Sequence, residues 1–136
     1  MATLKLLQDD ELSADARAVF DDIRATRGSD FVNNFWRALA HDPVALKRTW
    51  EGVKAVMAPG ALDPKIKEMI YIAVSAANSC PYCVHSHTAG ARAKGMTDSE
   101  YHELLAIVGM ASQTNRLVTA LGVPIDDVFD FGGTKA

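Results

Sequence analysis

The chain is poor in cysteine: its 136 residues contain two, Cys80 and Cys83. A domain of this length buries a sufficient core without a disulfide or metal to staple it, so the pair is free for chemistry. No stretch gathers Lys and Arg into a patch. Fourteen basic side chains are scattered against 17 acidic ones, for a net charge of −3, and without a basic footprint nucleic acid is not an expected partner. Long apolar runs are also missing. The longest, from Met69 to Ala77, falls far short of the roughly 20 residues of a membrane span. No membrane is expected, and the run reads as a helix. The first ten residues lack the apolar core and small-residue cleavage site of a signal peptide, which points to the cytoplasm. In that reducing compartment a lone cysteine pair is more often catalytic, redox-active or metal-binding than structural.

Strand alternation is lacking beyond the segment from Thr3 to Leu7, as are low-complexity stretches and internal repeats. What is present is helical periodicity. A first helix is expected from Ser13 as N-cap to about Thr26, with Ala16, Val19, Phe20 and Ile23 on one stripe. Asp30 is expected to cap a second, containing Phe31, Phe35, Trp36 and Leu39. Asp42-Pro43 and Asp63-Pro64 each place aspartate at the N-cap and proline at the first helical position. They start a third helix reaching Met57 and a fourth reaching about Asn78. The fourth is apolar over most of its circumference, which implies deep burial or an oligomer interface. A fifth begins at Cys80-Pro81 and ends at Lys94-Gly95, and Thr97 with Glu100 forms a capping box for a sixth that runs to about Leu121. A short helix is expected after Pro124. The class is all-α, one domain over residues 1–136, with 1–12 and 131–136 as loose ends.

The two cysteines therefore sit on the opening turns of the fifth helix. There the partial positive charge of unpaired N–H groups favours thiolate over thiol. At about 100° per residue, Cys80, Cys83 and His87 fall within roughly 60° of one another, and His85 falls well outside that arc. His87, one turn after Cys83, is placed to take the thiol proton and return one to a leaving group. An imidazole in that role is commonly held by a carboxylate. Glu68 is the candidate: it stands among Ile66, Met69, Ile70 and Ile72, where an unpaired carboxylate is costly. A short joint makes the fourth and fifth helices a hairpin that brings Glu68 over the fifth.

Glu68, eleven intervening residues, Cys80-x-x-Cys83, three more and His87 together resemble the signature of the AhpD-like alkylhydroperoxidase branch of the carboxymuconolactone decarboxylase family. The resemblance covers most of the fourth to sixth helices, and it implies an AhpD-like helical domain of about six helices. It also implies that Cys83 is the peroxide-attacking thiolate, Cys80 the resolving thiol, and His87 with Glu68 a proton relay. A hydroperoxide would be the substrate and a dithiol reductant or reductase protein the partner that reopens the disulfide. Trimers or hexamers would be the assembly. Tyr82 departs from the pattern: the best-studied AhpD type has a second histidine there, and a phenol with pKa near 10 is a poor base.

Two enzymatic or binding alternatives stay open. One is a decarboxylase-like enzyme without redox cycling; the other is a non-catalytic, redox-responsive oligomer. Zinc is the chemical rival, since Cys80, Cys83, His87 and Glu68 are ligands of suitable type. Three ligands crowded on one helical turn strain tetrahedral geometry, however, so neither metal nor cofactor is expected. Taken alone, Glu68 would read as an exposed charge beside Lys65 and Lys67, and His87 as a surface histidine. His41 and His102 keep that surface reading, and Trp36 and Trp50 read as core or interface aromatics. The fourth and sixth helices hold more apolar surface than a short six-helix domain can bury, which by itself points to a homo-oligomer.

Overall fold

In a computed structural model, residues 1–129 are described. They contain six α-helices and no strand: α1 (Ala14–Arg27), α2 (Asn34–Leu39), α3 (Pro43–Met57), α4 (Pro64–Ala77), α5 (Pro81–Ala93) and α6 (Asp98–Leu121). Single 3₁₀ turns lie at Asp9–Glu11 and Asp127–Phe129; the second falls where a short helix was expected. The expected tail over 131–136 lies outside the described residues.

The helix starts follow from local chemistry. Ser13 accepts a hydrogen bond from the Ala16 amide, Asp42 from those of Val44 and Ala45, and Asp63 from that of Lys65. Thr97 and Glu100 exchange the two bonds of a capping box. Each such cap contributes about 1 kcal/mol by satisfying amides that the helix itself leaves unpaired. The second helix departs from expectation. Its N-cap is Asn33, not Asp30, and Phe31 lies outside it and is 70% exposed. The cause is a pair of arginines: Arg24 Nε donates to the Asp30 carbonyl at 3.0 Å and Arg37 Nε to that of Val32 at 3.2 Å. These bonds tie the stretch before Asn33 to the two arginines, and buried Val32 anchors it.

Contacts divide the chain into two compact units, Met1–Ala58 and another that begins at Pro59. In the first unit, α1, α2 and α3 enclose a core of Val19, Phe20, Ile23, Val32, Leu46 and the two tryptophans. The Trp36 and Trp50 rings meet edge to face at 5.5 Å, an arrangement worth more than its area alone. Trp50 Nε1 and Lys54 Nζ both donate to Asp22, each at 2.6 Å. The segment before α1, read from sequence as a loose end, makes several bonds. Arg37 donates to the Leu7 carbonyl and to Asp9, each at 3.0 Å, Leu12 is buried, and His41 Nε2 lies 2.8 Å from the Lys5 carbonyl. Of the strand-like stretch from Thr3 to Leu7, one backbone bond from the Leu7 amide to Arg37 is made, and no strand forms.

In the second unit α4 and α5 form a tight hairpin and α6 packs on α4. The core is small: Ile72, Ala91 and Met96, with Met69, Tyr101 and Leu104 against them. The α4–α5 joint is short, Asn78 to Cys80. Ser79, at φ 55°, ends α4 in the left-handed conformation, with the Cys80 amide bonding back to the Ser75 carbonyl and the Ser79 amide to that of Ala76. This paired closure of a helix end usually uses glycine. Cys80 thus closes α4 and caps α5 at once. The α5–α6 joint repeats the closure with Gly95 at φ 90° and the Met96 amide bonded to Ala91.

Candidate active site

Every residue of the candidate site lies on the α4–α5 hairpin. Cys80 and Cys83 are joined as a disulfide, their Cα atoms 5.5 Å apart, and the Cys83 amide donates to Cys80 Sγ at 3.3 Å. Proline at the first position of α5 costs no hydrogen bond, so the helix opens directly behind Cys80. His87 follows Cys83 by one turn. Its Nδ1 lies 2.7 Å from Glu68 Oε2, across the hairpin.

Glu68 is 8% exposed, so the reading of it as a surface charge does not hold. Its second oxygen, Oε1, accepts from Lys94 Nζ at 2.8 Å. Burial opposes ionisation of this carboxyl, but hydrogen bonds from His87 and Lys94, and their charges, outweigh it and hold it below its ordinary value of 4.5. An ionised carboxylate can only accept, so Nδ1 carries the hydrogen and the free Nε2 lone pair of a neutral imidazole is left to take a proton. Lys94 supplies compensating positive charge to the carboxylate whether or not the imidazole carries one.

Three neighbours were missed in the sequence reading: Lys94, Tyr71 and Gly90. Tyr71, three residues after Glu68 on α4, stacks on the His87 ring with centroids 3.7 Å apart and planes 19° from parallel. Gly90 lies against the Glu68 carboxylate, and a Cβ there would come within 3.0 Å of both oxygens. Glycine inside a helix costs about 1 kcal/mol against alanine; here it makes room for the carboxylate. The available signal was positional. At about 100° per residue, Gly90 and Lys94 share the arc of α5 that holds Cys83 and His87.

Other expected placements sort as follows. His85 is exposed and lies with Cys80 on the wall of a small cavity, apart from the Glu68–His87 contact. Tyr82 is 44% exposed. Trp36 and Trp50 are core residues of the first unit, and His102 is exposed. A zinc site meets a physical objection, because both sulfurs are bonded to each other and the Glu68 oxygens are engaged by His87 and Lys94. Among the described residues no three His, Cys, Asp or Glu side chains converge as a metal cage.

A helical hairpin that carries a dithiol pair at one helix N-terminus, with a buried glutamate holding the adjacent histidine, defines a class of thiol-redox site. Comparison with known proteins makes the assignment particular. The model of the carboxymuconolactone decarboxylase family matches residues 43–126, and the chain belongs to that family. It is similar to the crystal structure of the alkylhydroperoxidase AhpD core from Rhodospirillum rubrum ATCC 11170, with a TM-score of 0.91 and 66% identity over 95% of this chain and 97% of that one. A curated relative, uncharacterized protein 4 in the cox locus of Paracoccus denitrificans, is 40% identical over 52 residues, which are 38% of this chain and 47% of the relative. The chain thus matches about half the length of that relative.

Proposed function

We propose that the protein is a thiol-dependent hydroperoxide reductase of the alkylhydroperoxidase kind. The observation that carries this reading is the Cys80–Cys83 disulfide one turn from a histidine whose Nδ1 is held by buried Glu68. Likeness to the AhpD core at 66% identity supports it. His87 takes the proton of the Cys83 thiol, and the thiolate attacks the terminal peroxide oxygen. The O–O bond breaks, Cys83 becomes a sulfenic acid, and the alkoxide leaves with the proton returned by His87. The Cys80 thiol then attacks the Cys83 sulfur, water departs, and the disulfide forms. A dithiol reductant restores both thiols by exchange, which suits the reducing cytoplasm. Positions 68, 80, 83 and 87 are the catalytic set in this reading, and the assembly is a homo-oligomer of trimeric or hexameric order. Exposed Ile66, Ile70 and Val74 on α4 and the exposed apolar side chains of α6, Ile107, Met110 and Leu121 among them, support that assembly.

Substitution at the two sulfurs tests the cycle. Cys83→Ser abolishes peroxide consumption, while Cys80→Ser consumes about one equivalent per chain and then stalls. Stopped-flow mixing of reduced protein with hydrogen peroxide and an organic hydroperoxide reads both. Undiminished turnover in either variant defeats the assignment, and the absence of any reaction above that of free cysteine favours the redox-responsive oligomer.

A further inference from the structure

The cavity beside the disulfide is lined by one of its two cysteines and not by the other. It measures about 270 Å³ and is walled by Ser75 and Ala76 of α4, by Cys80, and by Pro81, Val84 and His85 of α5. Cys83 and His87 are not part of the wall. Ala76, Pro81 and Val84 make much of that wall apolar. Apart from Cys80, His85 is its one ionisable side chain with an ordinary range near neutral pH. The catalytic reading leaves His85 without a task.

We propose that this cavity receives the reductant: a small aliphatic dithiol enters it and attacks Cys80 Sγ, with His85 accepting the thiol proton. The inference rests on the redox-cycle reading above and names the sulfur on which its reductive half begins. A bond forms between the reductant sulfur and Cys80 as the Cys80–Cys83 bond breaks, and Cys83 leaves with the electron pair as a thiolate. The second thiol of the reductant then attacks the reductant's own bonded sulfur, closes a cyclic disulfide and releases Cys80. Two electrons and two protons pass from the dithiol to the two cysteines.

Two observations favour this direction. Access is the first, since the cavity meets Cys80 alone of the pair. The second is the leaving group: Cys83 lies in the first turn of α5, one turn before His87, and a sulfur with a stabilised thiolate departs faster. The step also leaves Cys83 as the thiolate with which peroxide attack starts.

The test begins from the oxidised protein. Excess mercaptoethanol, which cannot itself close a cyclic disulfide, is mixed with it for milliseconds, quenched in acid and followed by alkylation and fragment mass mapping. The expected result is mercaptoethanol on Cys80 and the alkyl label on Cys83, in at least tenfold excess over the reverse; an equal or reversed partition overturns the proposal. In a second arm, exposed His85 is replaced. His85→Gln slows reduction by dithiothreitol about tenfold but not reduction by a trialkylphosphine, which brings no proton. Equal slowing by both reagents, or by neither, also overturns it. Reduced protein that ignores hydroperoxides would defeat the peroxidase reading and leave both measurements standing, since they start from the disulfide.

Discussion

At the scale of single residues, the site depends on how many cations share the Glu68 carboxylate. Lys94 and His87 take one oxygen each, so Lys94 sets how readily the Glu68–His87 pair gains a proton. Lys94→Met removes that charge, and the acid limb of the pH–rate profile for Cys83 alkylation moves to higher pH. Lys94→Arg keeps the limb in place; a profile unmoved in both variants would show that Lys94 is only structural. The carboxyl also makes a statement about stability. Its pKa in the folded protein lies below the ordinary 4.5, so ionisation stabilises the fold above that value and the contribution is lost as pH falls through the folded pKa. Urea denaturation at pH 7 and pH 3 checks this: Glu68→Gln is the less stable protein at pH 7, and the gap between the two narrows at pH 3. Sequence alone brought Cys80, Cys83 and His87 together, because spacing along one helix fixes their shared face. It brought Glu68 near because a carboxylate in an apolar helix must find a partner. Gly90 and Lys94 share that face of α5, but their contact with Glu68 and the stacking of Tyr71 on His87 were not legible in that way. Their meeting depends on the register between α4 and α5, which periodicity within either helix does not specify.

At the scale of elements, the joint between α4 and α5 explains why the cysteine pair stands where it does. The three residues Asn78, Ser79 and Cys80 end one helix and begin the next, so Cys80 has little freedom relative to Glu68 on the preceding helix. That economy places Ser79 at φ 55°, where a side chain is strained by about 1 kcal/mol or more. Ser79→Gly relieves the strain and gives back part of it as unfolded-chain entropy, for a net gain of about 0.5 kcal/mol. Thermal unfolding of the oxidised proteins measures it, and a loss of stability would mean that the Ser79 side chain does more than tolerate its conformation. Capping was the legible part of the elements. Ser13, Asp42, Asp63 and Thr97 all cap where aspartate, serine or threonine precedes a periodic run. The start of α2 was illegible, because Arg24 of α1 and Arg37 from within α2 both bond to carbonyls of the stretch before it.

For the whole molecule, the second unit poses a problem of burial. Among the described residues its buried apolar ones are Ile72, Ala91 and Met96, and α6 contributes none although it is 24 residues long. Ile107, Met110, Leu117, Val118 and Leu121 of α6 are exposed, as are Ile66, Ile70 and Val74, which follow one another at one-turn intervals on α4. An amphipathic stripe of that kind is ordinarily covered, and burial of each such side chain stabilises by roughly 1.5–3 kcal/mol. The sequence hinted at this through the all-round apolar character of α4, but it left open whether α4 was deeply buried or an interface. Exposure of its Ile66–Ile70–Val74 stripe favours the interface, while Glu68, Ile72 and Ser75 face inward. Copies of the chain are the occupant we propose for it, and mass action then makes stability depend on concentration. The melting temperature of the oxidised protein rises by several degrees between about 1 and 100 μM, with light scattering above the mass of one chain throughout. Ile70→Glu places a charge in the stripe, lowers the scattering mass and removes the concentration dependence. A monomer whose melting temperature is the same at both concentrations would mean that the second unit stands on its small core alone, and the proposed assembly would fall while the disulfide chemistry of α5 would not.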